Sequence, residues 1–271
     1  MLIEKRGMAR RRLIIRPGAI GDFIVSLPAL EHLRAPFTEV WTTEANLPLV
    51  RLADAKRSIV SAGLDRLGLL PSRDVMQRLR LFDSIISWYG TGRPEFRELV
   101  AGLPFEFLPA LPPEGRGVHA VDYYCGQVGA LLNAIPRIDV GPVERHGKLV
   151  VHPFASHADK RWPGAAYFSP QGFDVVKIRG PEERLAGAIH IPDLFDLARF
   201  LAGACAFVGN DSGITHLAAA VGIPTVALFG PTDPAIWAPR GRSVRVIHGA
   251  TMAEITPEAV IEVLRDMSLL P

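Results

Sequence analysis

The stretch that decides the fold is residues 207–234, FVGNDSGITHLAAAVGIPTVALFGPTDP. The apolar run 205–208 predicts a buried strand that ends at Gly209. Asn210, Asp211, Ser212 and Gly213 are turn formers, and an Asp or Ser there can cap a helix. Residues 215–221 are Ala-rich and predict that helix, which Gly222, Ile223 and Pro224 bring to an end. Residues 225–229 predict a second strand, closed by Gly230 and Pro231. Strand, polar loop, helix, strand is the unit of a parallel sheet, whose ligands bind outside the carboxyl ends of the strands. The loop 210–216 lies at such an end, where helix N–H groups and the positive end of the helix dipole favour an anion such as phosphate. The plainer reading is that Asp211 and Ser212 only cap the helix and that His216 only packs in its first turn.

At 271 residues the chain suits two domains of ordinary size, and 48% hydrophobic with 21% charged residues is enough for two cores. A net charge of +2 is too small to argue for nucleic acid as a partner. The two cysteines, Cys125 and Cys205, lie far apart in apolar surroundings and form no CxxC, as expected of reduced thiols in a cytoplasmic protein. Arg16, Pro17 and Asp22 interrupt any export signal at the start of the chain. The uncharged run 212–232 is long enough to span a membrane, but its Gly-Ile-Pro break and helix-then-strand pattern oppose that. A soluble protein is expected.

Strands are expected at 13–15, 39–42, 58–62, 84–88 and 105–108, alternating with helices at 23–33, 73–80, 93–101 and 118–132. Residues 133–148, rich in Pro, Gly and charge, read as an interdomain linker that divides the chain into 1–140 and 141–271. A second series follows, with strands at 149–152, 174–178, 206–208, 225–228 and 244–247 and helices at 194–204 and 258–267. Thr256, Pro257 and Glu258 announce the last helix by an N-cap and a proline in its first turn. The expected fold class is α/β, two doubly wound parallel-sheet domains with a cleft between them.

Three further motifs carry chemistry. Gly18 and Gly21 flank the tight turn after strand 13–15, and Asp22 begins the helix, either as a cap or as a carboxylate able to take a proton from a hydroxyl. The turn is not GxGxxG, and no Walker A sequence occurs, which disfavours dinucleotide and P-loop readings. In HPFASHADKRWP (152–163), Ser156 can hydrogen-bond a phosphate and Lys160 can bring a cation to it; otherwise this is an exposed polar loop anchored by Trp162. His152 and His157 raise the question of a metal, but no third ligand is indicated and no metal is expected. After strand 174–178, Glu182 or Glu183 can bind a ribose hydroxyl pair, or both are first-turn glutamates that suit a helix dipole.

RPGAIGDFIVSLPALEHLR (16–34), HPFASHADKRWP, IRGPEE (178–183) and the 207–234 stretch, in this order, resemble glycosyltransferase family 9, the ADP-heptose:lipopolysaccharide heptosyltransferases. The resemblance implies a GT-B fold of two Rossmann-like domains, with the acceptor side first and the nucleotide-sugar side second. It also implies sugar transfer with inversion and no metal or other cofactor, from an ADP-heptose donor to a lipid-linked glycan acceptor. By motif, Asp22 would be the general base, Ser156 and Lys160 would hold the donor diphosphate, and Asp211, Ser212, Gly213 and His216 would surround diphosphate and heptose. Glu182 or Glu183 would contact the nucleoside. The sequence departs from the family in a shorter first half, in a shortened segment 162–174 where only a stub of the usual helix fits, and in Phe154 where the family usually has glycine. A GT-B sugar-nucleotide epimerase and a non-catalytic nucleotide-sugar-binding protein remain alternatives, and a dehydrogenase is the weakest. Lys5, Arg6, Arg10, Arg11 and Arg12 form a basic cluster that either holds the protein at an anionic inner-membrane surface or is a solvated tail.

Overall fold

The computed structural model describes residues 9–67, 73–113 and 117–267. The described residues through Ala134 form one compact unit and those from Ile135 form a second. Each unit is built on its own five-stranded sheet.

In the first unit, β1 (Arg11–Ile15), β2 (Phe37–Thr42), β3 (Ala55–Ser58), β4 (Ser84–Ser87) and β5 (Phe105–Phe107) are parallel and lie in the order β3-β2-β1-β4-β5. Leu13, Ile14 and Ile15 are fully buried, as an unbroken apolar strand covered on both faces must be. Leu13 and Ile15 pack with Trp41, Leu79, Ile85 and Phe96, while Ile14 turns to the other face. The helices are α1 (Ile20–His32), α2 (Arg73–Leu79), α3 (Pro94–Leu99) and α4 (Ala120–Val128), of which α1 and α4 pack together. Two expectations shift. The strand placed at 58–62 ends at Ser58, because the Ser58 hydroxyl and carbonyl take the amides of Ser61 and Ala62 and turn the chain. The helix placed at 118–132 closes at Val128 on Gly129, which takes the left-handed conformation (φ 76°) that favours glycine.

In the second unit, β6 (Leu149–His152), β7 (Val175–Lys177), β8 (Ala206–Asn210), β9 (Thr225–Phe229) and β10 (Val244–His248) are parallel, in the order β10-β9-β8-β6-β7. Its helices are α5 (Leu194–Ala202), α6 (Gly213–Val221), α7 (Pro234–Trp237) and α8 (Pro257–Asp266). Alternate residues of β6, β8 and β9 (Leu149, Val151, Ala206, Val208, Val226, Leu228) pack on Trp162, Phe168, Val260 and Leu264. The Thr256 hydroxyl accepts from the Ala259 amide at the start of α8, with Pro257 in the first turn, as the sequence predicts. In segment 162–174 a short 3-10 turn, Pro163–Ala166, is formed, in keeping with the expected stub.

Residues 133–148 are not a free linker. From Ile135 they belong to the second unit. The Ile138 amide donates to the Ala220 carbonyl (3.0 Å), Arg199 Nη1 to the Val140 carbonyl (2.6 Å), and the His146 ring stacks on Phe200 at 4.6 Å. Proline and glycine make this stretch irregular, but its backbone groups still find partners on α5 and α6.

Candidate active site

Each sheet contains a place where strand order reverses, and in open α/β sheets ligands bind outside the carboxyl ends of the strands at that place. In the first unit the chain runs outward from β1 to β2 and β3, then crosses to β4 on the other flank of β1. In the second it steps from β6 to β7, then crosses to β8 and continues outward. The sequence-derived candidates fall at these points: the turn 16–22 leaves β1, and the loops 152–163 and 210–213 leave β6 and β8.

At the first point Gly18 has φ +134°, and a Cβ there would stand 3.0 Å from the Asp22 Cβ, so any side chain would be strained and crowded. Asp22 is not the N-cap of α1. That place is taken by Ala19, and Asp22 sits in the third helical position, where its Oδ2 accepts from the Ala19 amide at 3.2 Å. A carboxylate there suits the helix dipole. Its Oδ1 makes no hydrogen bond among the described residues. Beneath the turn, Arg16 is 2% exposed; Nη2 donates to the Asp22 carbonyl (2.9 Å) and Nη1 to the Pro17 carbonyl (3.0 Å), with the guanidinium 4.5 Å over the Tyr124 ring. Burial above all pushes the Tyr124 phenol up to about 12; the Arg16 charge opposes this and the Asp22 charge adds to it. Asn46 Nδ2 donates to the Gly18 carbonyl at 3.0 Å. The turn is therefore held from below, with one Asp22 carboxylate oxygen left without a hydrogen bond among the described residues.

At the second point Lys160 Nζ meets Asp211 Oδ2 at 2.7 Å, bringing together two motifs fifty-one positions apart. The Trp162 amide donates to Asn210 Oδ1 (3.2 Å) and its indole N–H to the Ile255 carbonyl (2.7 Å), which fastens the loop after β6 to the end of β8. The plainer capping reading does not hold. Ser212 is the N-cap of α6, but its side chain makes no cap bond; its Oγ lies 3.2 Å from Thr215 Oγ1, and the Asp211 carboxylate is engaged by Lys160. By contrast Asp193, Asp233 and Thr256 do cap α5, α7 and α8. The first-turn amides of α6, from Gly213 onward, thus lack a side-chain acceptor, next to a lysine. His216 is buried in that turn. Ser156 is exposed on the loop after β6 and makes no hydrogen bond to these groups among the described residues.

Glu182 and Glu183 follow β7 and separate sharply. Glu182 is exposed, whereas the Glu183 Oε2 accepts from the Gly180 amide and lies 3.2 Å from His152 Nε2. Burial works to raise the Glu183 pKa, but the His152 hydrogen bond, the Gly180 amide and the charges of His152 and Arg161 together bring it below its ordinary value. His152 and Asn210 end adjacent strands, since His152 is the register partner of Gly209. Both are buried, and His152 Nδ1 and Asn210 Nδ2 find no hydrogen-bond partner among the described residues. Buried polar atoms left open at the switch point are what a ligand or water would satisfy.

Sequence reasoning missed Arg16, Asn46 and Asn210 as site residues, and saw His152 only as a possible metal ligand. Arg16 left one signal, an arginine directly after the buried apolar run of Leu13, Ile14 and Ile15. No group of three or more His, Cys, Asp or Glu placed to hold a metal ion occurs among the described residues.

Two parallel five-stranded sheets flanked by helices are the fold found in GT-B glycosyltransferase structures. The pattern described as "Glycosyltransferase family 9 (heptosyltransferase)" matches residues 178–260. The lipooligosaccharide heptosyltransferase 2 of Haemophilus influenzae is 32% identical over 127 residues, a match covering 38% of this chain and 36% of that protein. The chain thus spans well under half the length of such curated relatives. The fold extends further. The structure of E. coli ADP-heptose lipopolysaccharide heptosyltransferase II superposes with a TM-score of 0.71 at 20% identity, covering 96% of this chain and 98% of that one. The iron-containing dodecameric glycosyltransferase TibC of enterotoxigenic E. coli gives 0.63 at 15% identity, covering 96% and 76%. Residues 178–260, which hold the IRGPEE motif and the 207–234 stretch, are thus similar to glycosyltransferase family 9, in line with the resemblance seen in the sequence.

Proposed function

We propose that the protein is an inverting glycosyltransferase that moves a sugar from an ADP-sugar to a lipopolysaccharide-type glycan, with heptose as the sugar to which the relatives' names point. The observation that carries this reading is the Lys160–Asp211 contact beside the side-chain-uncapped start of α6 at a strand-order reversal. An anion such as a diphosphate fits there, bound by amides and a cation. In this reading the unit through Ala134 serves the acceptor and the unit from Ile135 the donor. Asp22 takes the proton of the acceptor hydroxyl as its oxygen attacks the anomeric carbon, and the nucleoside diphosphate leaves from the opposite face, which inverts the configuration. Ser156, Lys160 and the α6 amides from Gly213 take up the charge that develops on the leaving group, so transfer needs no metal. Asp211, Ser212 and His216 line the sugar, and one of Glu182 and Glu183 takes the nucleoside.

The test is calorimetric binding and turnover across ADP-, UDP- and GDP-linked sugars, with and without a chelator. Micromolar-range binding selective for the ADP-sugar, competed by ADP and insensitive to chelation, is expected. Binding of another nucleotide sugar in its place would overturn the donor, and loss of turnover on chelation would overturn the metal-free route. Net sugar transfer to a glycan separates this activity from epimerisation and from binding alone.

The setting we infer is the cytoplasmic face of the inner membrane, where a lipid-linked acceptor is met. Of the basic cluster, Lys5 and Arg6 lie outside the described residues, and Arg12 is committed to the fold, being 3% exposed with Nη1 on the Leu33 carbonyl. Arg10 and Arg11 are exposed, although Arg11 also lies 4.0 Å over the Phe37 ring. Replacing Lys5, Arg6, Arg10 and Arg11 by Gln should weaken binding to anionic vesicles, and unchanged binding would remove the membrane role.

A further inference from the structure

His152 is a nearly buried, titratable side chain to which the transfer chemistry above gives no task. It closes β6, is 5% exposed, and touches Glu183 across a chain separation of thirty-one positions. The contact requires the proton on Nε2, which makes the imidazole a donor to the carboxylate. Both fixed bonds of Glu183, from His152 and from the Gly180 amide, converge on Oε2. Its Oε1 makes no hydrogen bond among the described residues, and the side chain remains 24% exposed. A carboxylate clamped through one oxygen, with the other open at the end of a strand next to the reversal point, is suited to accept from neighbouring hydroxyls. Glu182, exposed and unclamped, offers no such preorganisation.

We propose that His152 is a positioning residue for donor recognition: with the Gly180 amide it fixes Glu183 Oε2, so that Oε1 accepts from the ribose hydroxyl pair of the donor nucleoside. This rests on the nucleotide-sugar reading above. It selects Glu183 over Glu182 and gives His152 a role in discriminating ribose from deoxyribose, with no part in the transfer step itself.

The test compares ADP with 2′-deoxy-ADP by calorimetry on the full chain and on His152→Phe, His152→Gln and Glu183→Gln. The parent should prefer ADP by about tenfold or more, the size of a hydrogen bond to a charged group. In His152→Phe, which keeps the ring volume and removes the donor, the preference should fall to about twofold or less while 2′-deoxy-ADP still binds as in the parent. His152→Gln, whose amide N–H can occupy the place of Nε2, should restore the preference, and Glu183→Gln should lose it. The inference is overturned if His152→Phe keeps the preference, or if it weakens both nucleotides equally, since that would be packing alone. Loss of preference in a Glu182→Gln variant with Glu183→Gln unaffected would also overturn it. Failure of the parent to bind either nucleotide would overturn the donor reading itself, a result distinct from binding both without discrimination, which would overturn only the ribose contact.

Discussion

The two turns that leave β1 and β8 start from the same geometry and reach opposite electrostatics. Each follows a buried strand at a reversal of strand order, and each leads into a helix with an aspartate nearby. After β1, the aspartate lies inside the helix and accepts from its own Ala19 amide, so the turn is capped by its own negative charge. After β8, the aspartate lies before the helix and engages Lys160, and the N-cap Ser212 gives the helix start no side-chain acceptor. A shift of a few positions thus leaves a carboxylate at the first helix start and amides without a side-chain acceptor at the second, the difference on which the proposed roles of proton acceptor and anion seat rest.

The comparison can be broken most sharply at Asp22. Asp22→Asn should lower sugar transfer by about 10²–10⁴-fold, the usual contribution of a general base, while ADP affinity is unchanged; near-normal turnover would remove Asp22 from catalysis. Lys160→Met tests the other turn. It removes the cation facing Asp211, and ADP affinity should drop by about tenfold to a hundredfold. Unaltered ADP binding would mean that the lysine serves only the fold. Gly18→Ala asks whether the first turn needs its backbone: at φ +134° the substitution should cost about 1–2 kcal/mol in denaturant unfolding and reduce transfer more than ADP binding. An unchanged unfolding midpoint would refute the strain. The smallest effect concerns pH. Because the Glu183 pKa is lowered in the fold, its carboxylate stabilises above the ordinary glutamate range, and that stabilisation is lost as pH falls through the lowered value. Glu183→Gln should therefore melt below the parent near neutral pH and approach it in acid. A gap that stays constant on acidification would count against the His152 and Gly180 contacts.

Much of the fold was legible in the order of residues. Leu13-Ile14-Ile15, Leu149-Val150-Val151 and the run after Cys205 read as strands because a parallel strand is apolar on both faces, and each is buried. Gly222 and Pro224 marked the end of α6, where Gly222 takes φ 91°. The NDSG and GD turns were visible because turn formers at the end of an apolar strand have few other uses. The linker was misread because composition reports irregular backbone and not whether that backbone is bonded, and residues from Ile135 are tied to α5 and α6.

Periodicity and capping are local, so most strands and helices, and the residue types at the strand ends, could be placed from the order of residues, although β3 and α7 could not. The tertiary structure alone decided which of those residues meet. Lys160 finds Asp211, Trp162 finds Asn210, and His152 finds Glu183, across fifty-one, forty-eight and thirty-one positions. It also separated Glu183 from Glu182, which one-dimensional spacing leaves equivalent, and committed Arg12 and Arg16 to backbone carbonyls. Pairings of this kind depend on strand order, and strand order is set by how the whole chain buries its apolar faces, not by any neighbour in sequence.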